Sequence, residues 1–163
     1  MKLRERGQAL TELALVMPLL LMLGAGGTDL ARGISEKTAV TNAAREGARA
    51  AALPEFGDPQ RTSPVNCADY NIWKAAEAES PSLPWPALSA CIGSGWTAPA
   101  AASGKCSLTI APLQGSRSEN VDDQPVTVTV SCPYTALTPV LSSVVSNVTV
   151  ASSSTANAYY PSS

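Results

Sequence analysis

The chain has 163 residues, of which 45% are hydrophobic and only 15% charged, with a formal net charge of −2 and a sequence pI near 5.1. That length suits one domain of ordinary size, but a soluble domain usually carries about 25% charged residues. No basic run follows the first six residues and there is no histidine, which argues against phosphate-backbone binding, imidazole catalysis and most zinc sites.

Residues 1–7 read Met-Lys-Leu-Arg-Glu-Arg-Gly, where Lys2, Arg4 and Arg6 outweigh Glu5. An apolar run follows at Leu13–Gly27, interrupted only by Pro18 and small residues. With Gln8–Glu12 and Thr28 it makes a segment of about 31 Å as a helix, enough to cross a hydrocarbon core of about 30 Å. The basic flank predicts a cytoplasmic N-terminus with the rest of the chain outside. Three other readings compete: a cleaved signal peptide with Gly24-Ala25-Gly26 as its exit, a simple signal anchor, and a buried helix of a soluble domain.

Glu12 is the informative residue in this segment. A carboxylate at the head of a membrane segment is costly, and tolerable if a positive charge lies close. Cleavage after Gly7 creates one, the α-amine of Gln8, a helical turn from Glu12. A helix N-terminus also favours an acid. The bland alternative is a surface glutamate at the membrane interface.

Residues 28–52 contain no proline, so a helix can continue beyond the apolar segment. Asp29–Arg32 and Arg32–Glu36 have the i,i+3 and i,i+4 spacing of helical ion pairs. Leu30, Ile34, Thr41, Ala44, Ala48 and Ala51 drift along one weakly apolar face. The pattern predicts one helix running to about residue 52, with room for a bend near Pro18 and a stop at Leu53-Pro54. Ala39, Ala43, Ala44, Gly47, Ala48 and Ala50–Ala52 are small, which suits close helix approach and equally a thin face against the protein's own sheet; we expect both. Arg45 and Arg49 read as a solvated stripe.

The run Arg6-Gly7-Gln8-Ala9-Leu10-Thr11-Glu12-Leu13-Ala14-Leu15-Val16-Met17-Pro18-Leu19-Leu20-Leu21 resembles the N-terminus of TadE-like proteins, minor pilins or pseudopilins of the tight-adherence (Flp-type) pilus. Asn42-Ala43-Ala44-Arg45-Glu46-Gly47-Ala48-Arg49-Ala50-Ala51 resembles a second signature of that family. Leu13 departs from it, standing where Phe or Tyr is usual. The resemblance covers residues 6–52 specifically and the last third loosely. It implies a prepilin-type leader, residues 1–7, cut between Gly7 and Gln8 by a membrane aspartyl peptidase. Glu12 becomes the acid at mature position five, and the mature charge falls to −4 once three basic residues and Glu5 are removed. The implied fold is α+β and pilin-like: a transmembrane helix at 8–28, its extramembrane continuation at 29–52, and an extracytoplasmic globular part at 53–163 on a small antiparallel sheet. The implied place is the bacterial inner membrane, and the extracellular pilus after assembly. The implied partners are membrane lipid, the prepilin peptidase, other pilins and tight-adherence assembly proteins.

Residues 53–64, with three prolines, read as a loop. Asp69–Glu79 reads as a short helix with Ile72, Trp73 and Ala76 on one side. Residues 80–104 form a Pro-rich excursion, whose Trp85 and Trp96 read as packed rather than as a binding patch. Cys106–Pro112 and Val126–Cys132 alternate as strands, joined by the polar loop Leu113–Pro125. Pairing them antiparallel with Leu108 opposite Val130 and Ile110 opposite Val128 puts Cys106 opposite Cys132 on the same sheet face. Four cysteines beyond an export-type segment fit disulfides; this register selects Cys106–Cys132 and leaves Cys67–Cys91. Thr135–Ser146 reads as a turn and short helix around Pro139, and Val148–Tyr159 as a third strand. The glycosylation sequon at Asn147 is too short a motif to carry weight, and the adjacent acids Asp122 and Asp123 read as solvated. No phosphate loop, metal cluster or nucleophile–base pair is evident. We therefore expect no enzyme activity, no cofactor, no small-molecule substrate and no nucleic-acid partner. An unprocessed, membrane-anchored binding module is the alternative function.

Overall fold

The structure, a computed structural model, describes residues 2–53, 67–91, 96–113, 124–138, 142 and 148–158. Helix α1 runs Lys2–Ala52 with Pro18 inside it. Helix α2 is Ala68–Glu79. The strands are β1 (Ser107–Ala111), β2 (Gln124–Tyr134) and β3 (Val148–Ala158). The fold is α+β, a long N-terminal helix with a three-stranded antiparallel sheet in the order β1-β2-β3. The chain divides into two compact units, Met1–Ser35 with Thr135–Asn147, and Glu36–Tyr134 with Val148–Ser163. Helix α1 contributes to both.

In the second unit the core forms where three apolar faces meet. Strand β2 alternates, burying Val126, Val128, Val130 and Cys132. Strand β1 adds Leu108 and Ile110 on the same face, opposite Val130 and Val128 in the expected register. Helix α2 supplies Ile72, Trp73 and Ala76. Helix α1 closes the core with Val40, Ala43, Ala44, Ala48 and Ala51. These alanines allow close approach, and Gly47 allows more: a Cβ there would meet Val128 Cγ1 at 3.0 Å. Much of the small-residue face is thus taken up by the protein's own core.

The apolar stripe drawn from Leu30 to Ala51 is not buried along its length. Leu30 and Ile34 are exposed, and burial begins at Val40. The reason is physical: a helical face is buried only where another element packs on it, and sequence periodicity cannot say where that packing starts.

Strand β2 is longer than the sequence predicts because β3 pairs with it throughout, from Gln124↔Ala158 to Tyr134↔Val148. The outward sheet face is small and hydroxylic. Thr127 hydrogen-bonds Thr155 and Thr129 hydrogen-bonds Ser153 across strands, each at 2.8 Å. Such cross-strand hydroxyl pairs stabilise the ladder modestly. Lys37 on α1 donates its ammonium to the carbonyl of Ala151 on β3.

Two disulfides staple this unit. Cys106–Cys132 joins the start of the β1 segment to β2 with Cα atoms 4.1 Å apart. Cys67–Cys91 ties the start of α2 to the Pro-rich excursion, with Cα atoms 5.9 Å apart. Ser80 ends α2, its backbone N–H bonding the Glu77 carbonyl. Its hydroxyl donates to the Ala39 carbonyl at 2.9 Å. That bond anchors the excursion on α1, and the Cys106 N–H donating to the Pro84 carbonyl anchors its far end at β1.

Trp85 and Trp96 pack. Both meet Trp73 edge-on, with ring centroids 6.1 and 6.0 Å apart, and Tyr70 meets Trp96 at 5.6 Å. The indole N–H of Trp85 donates to Ser80 O and that of Trp96 to Ser89 O, so the polar end of each ring is satisfied as burial requires. The residue-53–64 loop beyond Leu53, Asp122–Asp123, most of Thr135–Ser146 and the end of the third strand lie outside the described residues.

Candidate functional site

The candidate site is the N-terminal half of α1. Every large apolar side chain named there, from Leu10 to Leu23, is exposed, and those side chains point all round the helix. A helix apolar on every side, and exposed on every side among the described residues, has the surface of a membrane span. The stretch is long and apolar enough to cross a bilayer.

Helix α1 includes Lys2–Arg6, so the basic stretch is helical and continuous with the apolar segment. Gln8 and Glu12 are exposed. The Gln8 side-chain amide faces Glu12 Oε1 at 3.5 Å, an i,i+4 contact on one helix face. The hydroxyl of Thr11 donates to the Gln8 carbonyl at 2.7 Å. Gln8 and Glu12 thus share a helix face one turn apart. The side-chain surroundings of Gly7 lie outside the described residues.

Asp29 is a residue whose partners sequence reasoning missed. Its spacing to Arg32 fitted the helix that forms, but its side chain is buried, 3% exposed. The carboxylate accepts hydrogen bonds from Leu137 N at 3.0 Å, Thr138 N at 3.1 Å and the Thr138 hydroxyl at 2.5 Å. These donors hold its carboxyl below the usual range, the Thr138 hydroxyl most of all; desolvation opposes them, and the Arg32 charge assists. No local signal marks this contact, because the partners lie 108 and 109 residues away in sequence.

At the other end of α1, Arg45 and Arg49 are exposed, as a solvated stripe requires. Arg49 forms an ion pair with Glu46, one turn back. The paired guanidinium lowers the Glu46 carboxyl and is itself raised in turn. The arrangement is a helix-surface pair, worth little to stability in water.

The family model described as TadE-like protein matches residues 7–49. No curated protein and no solved structure matches the chain. The matched stretch starts at Gly7, includes Glu12 and Asp29, and ends at Arg49, so it lies wholly within α1. Over residues 7–49, the greater part of its N-terminal helix, the chain is similar to TadE-like proteins.

Proposed function

We propose that this protein is a minor pilin or pilus-assembly subunit of a bacterial tight-adherence pilus, held in the inner membrane by residues 8–28 with its globular part outside. The observation that carries this reading is the exposed apolar helix bearing Glu12 at its head, within the TadE-like match. A prepilin peptidase cuts between Gly7 and Gln8. The new α-amine of Gln8 then pairs with Glu12 of the same or a neighbouring subunit, which lowers the cost of carrying an acid into the helix-packing zone. Assembly packs the apolar helices against one another in place of lipid, through van der Waals contact. The protein acts as substrate of the peptidase and as a structural partner of other pilins, with no chemistry of its own.

N-terminal sequencing of the protein recovered from membranes, with and without the peptidase, is the deciding experiment. A mature chain starting at Gln8 is expected, and a bulky replacement such as Gly7→Leu blocks the cut. A chain that starts at Met1 in the presence of the peptidase points to an unprocessed membrane-anchored module. One that starts near residue 27 points to a signal peptide.

A further inference from the structure

Strand β3 is an edge of the sheet: β2 pairs with one side of it, and among the described residues no strand pairs with the other. Two contacts fix which of its backbone groups face outward. The Cys106 N–H turns to the Pro84 carbonyl and not to β2. Cys106 and Cys132 are therefore opposed without ladder bonds, and Cys132 turns its own N–H and C=O toward β3. Its partner there, Val150, turns toward β2. Direction alternates residue by residue along an antiparallel strand, so Ala151 faces out. Lys37 of α1 agrees, since it donates its ammonium to the Ala151 carbonyl. The same alternation turns the N–H and C=O groups of Ser153, Thr155 and Asn157 outward, and all three residues are exposed.

Such an edge is a template for a further strand, and edges are ordinarily blunted by charge, proline or shortness. Strand β1, the opposite edge, has that protection: it is five residues long and stands between Lys105 and Pro112. Strand β3 has eleven residues with neither charge nor proline. Lys37 guards it at Ala151. Its outward side chains are small and already ordered, Thr155 on Thr127 and Ser153 on Thr129. No bulky group there keeps a strand from the usual spacing of about 4.8 Å.

We propose that residues 153–157 pair antiparallel with the same residues of a second copy of this chain, about a twofold axis at Thr155. In that register Thr155 lies opposite the partner's Thr155 and Ser153 opposite the partner's Asn157. All of these residues face outward, so the pairing makes about six backbone hydrogen bonds. A foreign strand is selected by pockets or charges beside an edge, and β3 carries no charge and no large side chain over residues 151–157. What it offers is a match to itself. Two uncharged copies meet no like charge across the ladder, and a twofold contact closes, using up both long edges at once. Lys37 sets where the pairing stops, because it already holds the Ala151 carbonyl. The surface lies in the globular part, and the proposal does not rest on the pilus reading.

The test is cross-linking of the full chain in detergent micelles, where the four native cysteines are held in disulfides. Under mild oxidation Thr155→Cys should give a dimer linked 155 to 155, identified by peptide mapping without reduction. Ser153→Cys and Asn157→Cys copies should link to each other when mixed, and neither to itself. Adding Thr155→Lys to both of these copies should lower that mixed link several-fold, and Thr155→Lys on one with Thr155→Glu on the other should restore it. Amide exchange of the unsubstituted chain needs no variant: Ser153, Thr155 and Asn157 should slow as protein concentration rises. Rapid exchange at every concentration, with no 155–155 link, leaves the edge open and overturns the proposal. Slow exchange at every concentration with no link overturns it in favour of cover by the chain itself. Links that form equally at 153, 155 and 157, or that ignore the charge pair, come from collision or from helix association, and overturn it as well.

Discussion

Asp29 and Gly47 make opposite demands on α1. Asp29 needs its donors, because a carboxylate removed from water is stable only when its lone pairs are occupied. With its carboxyl lowered from the ordinary 3.8, its contribution to stability is complete above that value and is lost as the pH falls through the lower folded value. The carboxyl carbon of Asp29, followed by NMR in micelles, should titrate below 3.8, and Thr138→Val should move that titration upward, since the Thr138 hydroxyl is the largest cause of the shift. Gly47 needs to carry no side chain, because Val128, Ala76 and Ile72 pack where one would stand. Gly47→Ala stays near neutral, because about 1 kcal/mol of gained helix propensity offsets the tight contact with Val128. Gly47→Val overfills the site and should destabilise by about 1–3 kcal/mol, read as a lower denaturant midpoint with an unchanged slope. Glu12 belongs to a different class. It is exposed on the helix surface, so Glu12→Ala should leave membrane insertion intact and impair pilus assembly, seen as normal membrane levels with fewer surface filaments.

Among the elements, β2 does the most to organise the globular part. It is the central strand, paired on both sides, and its inward residues meet both helices. Its alternation was legible because one face is buried and the other carries Thr and Ser, so the period of two survives in the sequence. Its full length was not legible, since Gln124, Pro125, Pro133 and Tyr134 are strand only by pairing with β3. The disulfides act on other segments. Cys106–Cys132 closes a loop with a sequence separation of 26, and Cys67–Cys91 one of 24. Removing either pair as a double serine variant should cost about 2–5 kcal/mol. Losing Cys67–Cys91 should also free the excursion that carries Trp85 and Trp96, visible as a change in tryptophan emission. Peptide mapping of the unreduced chain checks the connectivity; a bridge between residues 67 and 106 contradicts it. Ile72→Ala, at the junction of α2 with Gly47 and the sheet, should cost about 2–5 kcal/mol.

At the scale of the whole molecule, α1 is both a candidate membrane span and a core element. Its first half is apolar on all sides, and its second half is small on the face that the sheet covers. One helix therefore carries two kinds of surface, one with the composition of a membrane span and one that the protein interior covers, and the residue types change between them. The 21 residues from Gln8 to Thr28 should partition the chain into membranes resistant to carbonate extraction. A chain beginning at residue 54 should lose that partitioning and also the helical cover of its sheet, so it should expose apolar surface and bind a hydrophobic dye.

The sequence by itself determined what is local or periodic. The apolar run and the position of Glu12, the helix extent to residue 52, the β1–β2 register and the cysteine pairing it selects all follow from spacing along one or two segments. The tertiary structure alone decided where the apolar stripe of α1 becomes buried, that Val128 packs against Gly47 where a side chain would stand, and that Asp29 faces Leu137 and Thr138 rather than water. Each of these depends on which distant element packs against α1. Side-chain burial is a property of that packing, and neither period nor propensity encodes it.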